Sequence, residues 1–90
     1  LDLDRFKWIN DTLGHDVGDK VLKAVADRLS AYVSEHGSVA RLSGDEFALM
    51  DFMDDYTSLR SYVEKLLEAL SEPYSVWGNT VTCRASIGVS

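Results

Sequence analysis

The sequence predicts an α+β fold in which helices pack on one face of a mostly antiparallel sheet. Long stretches carry apolar residues at helical spacing, and the β-rich runs occur in adjacent pairs joined by short polar turns. The predicted element order is βααββαββ, which is typical of this fold class. Ninety residues form one small domain, residues 1–90, which buries roughly 60–65% of its extended surface.

The first part of the chain predicts one strand and two helices. Residues 1–4 alternate apolar and acidic side chains, as a short strand does, and Gly14-His15 ends the short helix that follows. The apolar residues of that helix are Phe6, Ile9 and Leu13. The second helix has the clearest pattern in the chain, and its apolar stripe comprises Val17, Val21, Leu22, Val25, Leu29 and Val33. Gly37 ends this stretch.

The middle of the chain predicts a hairpin followed by a third helix. Val39 to Leu42 leads into the hairpin, and Phe47 to Phe52 leads out of it. Residues 54–58 supply several candidate caps for the helix, and Pro73 marks its end. The apolar stripe of this helix comprises Leu59, Tyr62, Val63, Leu66, Leu67 and Leu70.

The last part of the chain predicts a second hairpin. Tyr74 to Trp77 and Thr80 to Val89 are β-rich runs, and Gly78-Asn79 between them is typical of a two-residue turn. Cys83 lies in the second run, where we expect a buried thiol, with a reactive thiol as the alternative. A single cysteine excludes an internal disulfide and fits a reducing compartment.

Composition excludes several classes of function. A net charge of −6 argues against non-specific binding to nucleic acid or anionic lipid, although metal ions can still bridge carboxylates and nucleotide phosphates. No apolar run approaches the roughly 20 residues that span a bilayer. The chain lacks an initiator methionine and starts within a predicted strand, so we expect it to be an excised part of a longer protein.

The turn of the first hairpin concentrates polar residues. It carries two adjacent carboxylates, Asp45 and Glu46, which point in opposite directions if the strands are regular. Gly44 suits a turn that needs a positive φ angle, or a place where another group approaches the main chain. An ordinary hairpin turn is the simpler explanation when this stretch is considered alone.

A second polar stretch changes that interpretation. Residues 2–19 run Asp-Leu-Asp-Arg-Phe-Lys-Trp-Ile-Asn-Asp-Thr-Leu-Gly-His-Asp-Val-Gly-Asp, and residues 41–47 run Arg-Leu-Ser-Gly-Asp-Glu-Phe. Together they resemble the GGDEF domain of diguanylate cyclases, whose hairpin signature is Gly-Gly-Asp/Glu-Glu-Phe. The resemblance extends over the whole chain and includes the run Ala-Ser-Ile-Gly-Val at residues 85–89. It implies the ferredoxin-like palm of nucleotide cyclases.

The resemblance implies a divalent metal site where the first strand ends beside the hairpin tip. Asp2 and Asp45 would be its carboxylate ligands and the backbone carbonyl of Leu3 a further ligand, with Mg²⁺ as the expected ion and Mn²⁺ as the alternative. Mg²⁺ favours such oxygen ligands together with phosphate oxygens and water. Asp45 and Glu46 would be catalytic, and Glu46 would assist deprotonation of a 3′-hydroxyl or help to hold metal. A solvated strand-end charge is the alternative for Asp2.

The start of the first helix, residues 4–7, predicts a phosphate site, because free main-chain N–H groups at a helix start bind phosphate. By resemblance, Phe6 and Lys7 contact the phosphates chiefly through their backbone, and Gly44 lies where the main chain approaches the nucleotide. Packing on the apolar face of the helix is the competing role for Phe6.

Asn10 and Asp19 offer donors and acceptors that match the edge of guanine, and the family uses the equivalents of both in this way. A local helix-end hydrogen bond is the alternative for Asn10, and a favourable charge near a helix start is the alternative for Asp19. His15 lies in the family pattern Gly-His-x-x-Gly-Asp. It is either a nucleotide contact or a hydrogen-bonding residue at the helix end.

Three departures from the family pattern stand beside these matches. Ser43 replaces the first glycine of the signature, which predicts impaired turnover. Residues 34–37 lack the Arg-x-x-Asp of the family's inhibitory product site, so we expect no product feedback there. The chain stops at Ser90, whereas the family continues into a helix with basic residues that contact the phosphates. Arg41, before the turn, is expected to be a structural or product-side cation.

The resemblance implies a diguanylate cyclase, a bacterial signalling enzyme that joins two GTP molecules into cyclic di-GMP and releases two pyrophosphates. Because one domain presents one GTP, the active form would be a symmetric homodimer. The alternative is a catalytically weak or inactive module that binds GTP and regulates an adjoining sensor or phosphodiesterase domain. Either role implies the cytoplasm, in a soluble protein or in the cytoplasmic part of a membrane-anchored one.

Overall fold

A computed structural model describes residues 1–4, 6–53 and 55–89 of the chain. The elements within these ranges are β1 (Asp2–Asp4), α1 (Phe6–Leu13), α2 (His15–Tyr32), β2 (Ser38–Ser43), β3 (Glu46–Met50), α3 (Tyr56–Ser71), β4 (Tyr74–Val76), β5 (Asn79–Val81) and β6 (Arg84–Ser86). This mixture of helices and antiparallel strands confirms the predicted α+β class. None of these helices has the length and apolarity that a bilayer crossing requires.

Four strands form one antiparallel sheet in the order β2-β3-β1-β6. β1 is therefore central, and its Asp2 lies opposite Glu46 of β3 on one side and Ser86 of β6 on the other. Side chains alternate along β1, so Leu3 is buried whereas Asp2 and Asp4 are exposed. One face of the sheet thus contributes to the core, and the polar face stays open.

The core joins this sheet to the long helices. Leu3 of β1 and Phe47 of β3 belong to one cluster with buried residues of both α2 and α3. The buried residues of the predicted α2 stripe are Val17, Val21, Leu22, Val25 and Leu29. On α3 only Leu66 and Leu70 of the predicted stripe are buried, and the other four residues are half-buried. Each fully buried aliphatic side chain stabilises the fold by about 1.5–3 kcal/mol.

Most helix boundaries follow the predicted end residues, but α2 ends at Tyr32, so Val33 of its predicted stripe is an extended residue just outside the helix, well before Gly37. Gly14 separates α1 from α2 and has a φ of 96°, which confirms that it ends the first helix. Asp55 caps α3, since its carboxylate accepts a hydrogen bond from the Ser58 N–H at 2.8 Å. Two other predicted residues, Asp54 among the caps and Arg5 at the start of the first helix, lie outside the described residues.

The predicted strand from Thr80 to Val89 is wrong, because this run contains two strands. β5 pairs with β4 in a separate two-stranded sheet, whereas β6 pairs with β1 in the main sheet. Cys83 lies between them and is buried as predicted. Burial raises the pKa of its thiol above the usual value, which disfavours the reactive thiolate.

The turn of the β4–β5 hairpin lies one residue earlier than predicted. Trp77 and Gly78 have φ angles of 47° and 80°, and Asn79 is a strand residue opposite Val76. Two consecutive positive φ angles are typical of a type I′ turn, whose twist matches that of the flanking strands.

Asp51 connects three parts of the fold. Its carboxylate accepts hydrogen bonds from the N–H of Ser34 at 2.8 Å and from the Ser34 hydroxyl, just after α2. It also accepts from the Tyr62 hydroxyl of α3 at 2.8 Å and from the Phe52 N–H at 2.9 Å. The Ser34 hydroxyl and N–H are the main causes that hold the pKa of Asp51 well below its usual range. β3 ends at Met50, just before Asp51 and two residues earlier than predicted.

The contribution of Asp51 to stability should depend on pH. Because its pKa is lower in the folded protein than in the unfolded chain, that contribution is present above the unfolded-state value of about 4 and is lost as the pH falls through the folded value. Asp51→Ala should therefore lower the urea midpoint at pH 7, and the difference from wild type should shrink below about pH 4. Asp55→Ala, which removes one helix cap, is the control and should have a smaller effect. An Asp51→Ala effect that is constant with pH would contradict this assignment.

Candidate functional site

The first hairpin turns at Gly44-Asp45, between β2 and β3. The strand register shifts between Arg41 and Ser43, so Leu42 is the extra residue of a bulge and Ser43 lies opposite Glu46. The Nε of Arg41 donates a hydrogen bond to the carbonyl of the turn glycine at 3.0 Å. This bond folds the Arg41 side chain back against the turn and gives it a structural role.

Gly44 does not adopt a positive φ angle, which was one of its two predicted roles. A Cβ built on this glycine would meet no atom within 4 Å. The packing of the chain itself therefore does not require a glycine here. The second role, close approach of a group from outside the chain, stays a prediction that fits this open position.

Strand pairing brings Asp2 beside Glu46, whereas Asp45 lies one position nearer the turn. Asp2 and Glu46 form a non-hydrogen-bonded antiparallel pair, the type in which opposite side chains are closest. Two like charges in directly opposite positions destabilise a sheet when no cation lies between them. The N–H of Leu3 donates to the Asp45 carbonyl at 3.0 Å, which ties β1 to the turn.

The Leu3 carbonyl lies on the same edge of β1 as the hydrogen bond from the Leu3 N–H to the Asp45 carbonyl. Among the described residues, the Leu3 carbonyl does not accept a backbone hydrogen bond from the Asp45 N–H. Within the described part of the chain, no three His, Cys, Asp or Glu side chains converge into a metal-binding group. A cation beside Asp2 would therefore need carbonyl, water or substrate oxygens to complete its coordination. This donor set suits Mg²⁺, which typically uses one or two carboxylates with water and phosphate oxygens.

The first residues of α1 follow β1 closely. Phe6 is buried in the core, which confirms its packing role, whereas Lys7 is exposed. The first N–H groups of an α-helix have no partner within the helix, so the predicted phosphate contact stays open for both residues. Asp4, at the end of β1, is held by the Ser86 hydroxyl, which lies 3.1 Å from each carboxylate oxygen.

Packing of α1 on α2 brings two predicted guanine-binding residues together. The Oδ1 of Asn10 is buried without a hydrogen-bond partner, and a Cβ on Gly18 would lie only 1.8 Å from it. Asn10 therefore packs on the main chain immediately before Asp19, which is exposed. His15 is the exposed first residue of α2, and no hydrogen bond of this side chain occurs among the described residues. Its predicted helix-end hydrogen bond is thus not observed.

A groove of about 400 Å³ lies between α2 and the hairpin. Its apolar lining comprises Leu22, Ala26, Val39 and Phe47, and its polar lining comprises Asp19, Lys23, Ser30 and Arg41. Asp19 is a predicted site residue, whereas sequence patterns did not indicate Lys23 or Ser30. Lys23 could have been found, because it follows Asp19 by one helical turn and so lies on the same face of the helix.

A family model for the diguanylate cyclase GGDEF domain matches residues 1–90. The chain belongs to the GGDEF domain family. The predicted resemblance is thereby confirmed over the full chain.

Curated relatives of this GGDEF domain include two proteins of Pseudomonas aeruginosa, named cyclic di-GMP phosphodiesterase NbdA and bifunctional diguanylate cyclase/cyclic di-GMP phosphodiesterase MucR. Each is 40% identical over 90 residues, which cover all of this chain. The chain spans only 12% and 13% of their respective lengths.

Solved structures of GGDEF domains share the fold. The GGDEF domain of YfiN (TpbB) from Pseudomonas aeruginosa has a TM-score of 0.84 at 38% identity, covering 91% of this chain and 49% of that one. The active GGEEF domain of a diguanylate cyclase from Vibrio cholerae has a TM-score of 0.74 at 27% identity, covering 92% and 53%. The palm-like cyclase fold predicted for the chain is therefore confirmed.

Alanine substitutions should show which of two glycines, Gly44 or Gly18, is required by packing within the chain. Gly44→Ala should change the free energy of unfolding by less than about 0.5 kcal/mol, because the added methyl group meets no atom. Gly18→Ala should destabilise the protein by about 1–3 kcal/mol, because its Cβ collides with Asn10. Urea unfolding measures both effects. Equal destabilisation by the two variants would show that the turn is packed against the rest of the chain.

Proposed function

We propose that this GGDEF domain binds GTP with Mg²⁺ and, as one half of a symmetric homodimer, condenses GTP into cyclic di-GMP. The observation that carries the proposal is the β1–β3 register, which sets Asp2 opposite Glu46 and bonds the Leu3 N–H to the Asp45 carbonyl, so the first strand lies directly beside the hairpin turn. Membership of the diguanylate cyclase family supports it. The substrate and the free thiol also support a cytoplasmic location.

Asp2, Asp45 and the Leu3 carbonyl would hold the Mg²⁺, with Mn²⁺ as a substitute. Bound there, the ion would offset phosphate charge and lower the cost of forming an alkoxide. The pairing of Asp2 with Glu46 supports a cation, since two adjacent carboxylates repel each other without one.

The proposed reaction is attack of a ribose 3′-oxygen on the α-phosphorus of the other GTP. The new P–O bond replaces the bond to pyrophosphate, which leaves, and the 3′-hydroxyl gives up its proton. Glu46, at the start of β3, would accept that proton or help to position the group that does. The 3′-oxygen of the second GTP then attacks the α-phosphorus of the first in the same way, and this second step closes the ring. Because each domain presents one nucleotide, two copies must face each other across a two-fold axis.

The remaining predicted residues would hold the nucleotide. The N–H groups of Phe6 and Lys7 at the start of α1 would bind phosphate oxygens. Asn10 and Asp19, adjacent across Gly18, would recognise guanine, with His15 as a further contact at the start of α2.

Asp45→Asn should separate chemistry from folding. This substitution keeps the size of a half-buried side chain in the turn but removes a charge that the proposal places next to two phosphate-bearing substrates. Turnover should fall on the order of 10²–10³-fold while the urea midpoint stays unchanged. The assay measures cyclic di-GMP formed from GTP by the intact protein, at concentrations high enough to form a dimer. Unchanged turnover in Asp45→Asn would remove Asp45 from the site.

Ser43→Gly distinguishes this proposal from a second candidate, a GTP-binding module that regulates an adjoining domain. A relative named as a cyclic di-GMP phosphodiesterase and the serine in the signature favour that candidate. Ser43 is exposed at the end of β2, so glycine should be tolerated there and should raise turnover. If wild type and Ser43→Gly bind GTP but form no product, the regulatory module is the better description.

A further inference from the structure

The groove beside α2 offers guanine a second charged partner besides Asp19. We propose that Lys23 is a specificity-determining residue that donates a hydrogen bond to the O6 atom of guanine. The inference rests on the proposed function, because it concerns the base of the GTP that this domain would bind.

The positions of Asp19 and Lys23 on α2 support this assignment. Asp19 and Lys23 are four residues apart on α2, so both side chains lie on one face of the helix, and both line the groove of about 400 Å³. Leu22 lies between them on the same lining, and Val39 and Phe47 contribute apolar surface from the hairpin. An apolar slot with opposite charges along one wall suits a flat heterocycle that carries both donors and acceptors on its edge.

Among the described residues, the charged groups of Asp19 and Lys23 have no ionic or hydrogen-bonding role elsewhere in the fold. Neither Asp19 nor Lys23 takes part in the ion pairs or hydrogen bonds of the described residues, where one ion pair joins Arg60 to Glu64. Lys20 differs in this respect, because its Nζ lies 5.8 Å from the centre of the Trp77 ring. The exposed α2 lysines next to Asp19 therefore occupy different environments, and only Lys23 faces the groove.

The chemistry of the two purines explains why such a pair would be selective. Guanine presents its N1–H and 2-amino donors beside the O6 acceptor, which matches a carboxylate followed by an ammonium group. Adenine presents an amino group in place of O6 and a lone pair in place of N1–H. With adenine, the Lys23 ammonium would face a donor and the Asp19 carboxylate would face an acceptor. Polar groups left without partners in this way cause strong rejection of the wrong base.

Lys23→Met tests the inference in the intact protein, with Lys20→Met as the matched control. The probes are GTP and the triphosphate of 2,6-diaminopurine riboside, which keeps the 2-amino group but carries an amino group in place of O6 and a lone pair in place of N1–H. Wild type should prefer GTP. Lys23→Met should lose about tenfold or more in GTP affinity and little in diaminopurine affinity, so the preference should shrink about tenfold while the part due to Asp19 remains. Lys20→Met should keep the preference, and Lys23→Arg, which retains donors, should keep part of it.

Titration calorimetry with both nucleotides distinguishes the outcomes. Equal losses for the two nucleotides in Lys23→Met would indicate a general charge effect and would overturn the inference. Full retention of the preference would also overturn it, while GTP binding by wild type would leave the proposed function standing. Failure of wild type to bind GTP would overturn both. If Lys23→Met does not fold, Lys23→Ala, which likewise has no donor, supplies the same comparison, and its full retention of the preference would overturn the inference.

Discussion

The fold depends on the pairing of one three-residue strand with a neighbour on each side. β1 places Leu3 in the core while Asp2 and Asp4 stay on the open face of the sheet. A register slip of one residue would exchange these faces, exposing the leucine and burying two carboxylates. Burial of an unpaired carboxylate costs several kcal/mol, so the alternation that stabilises the core also determines where the acidic groups lie.

Sequence patterns predicted the helices well because each helix buries an apolar stripe that its own spacing records. Gly14 marked the boundary between α1 and α2 for the same local reason. The C-terminal strands were less predictable, because a β-rich run does not record which strand is its partner. The Trp77-Gly78 turn was missed because a bulky residue rarely adopts a positive φ angle, whereas Gly78-Asn79 is a common turn pair.

The candidate site shows the same division between local and tertiary information. The motif identified the residues, and the resemblance suggested their roles, but the pairing of Asp2 with Glu46 depends on strand register and could not be derived from spacing. The contact between Asn10 and Gly18 likewise arises from helix packing. Asp51 was not singled out at all, because its partners lie in three separate parts of the chain. Those bonds engage Ser34, the first residue of the segment that lacks the family's Arg-x-x-Asp.

The bulge in the hairpin affects how this domain can associate with other chains. Among the strands of the described residues, β2 forms one edge of the sheet and carries the extra residue Leu42, while β6 forms the other edge and is only three residues long. Bulges and short edge strands interrupt the row of N–H and C=O groups that an added strand would need. Pairing of another chain along the bulged strand β2 is therefore disfavoured. Contacts with a second copy or an adjoining domain would instead involve side chains and loops, which leave the relative orientation of the two bodies adjustable.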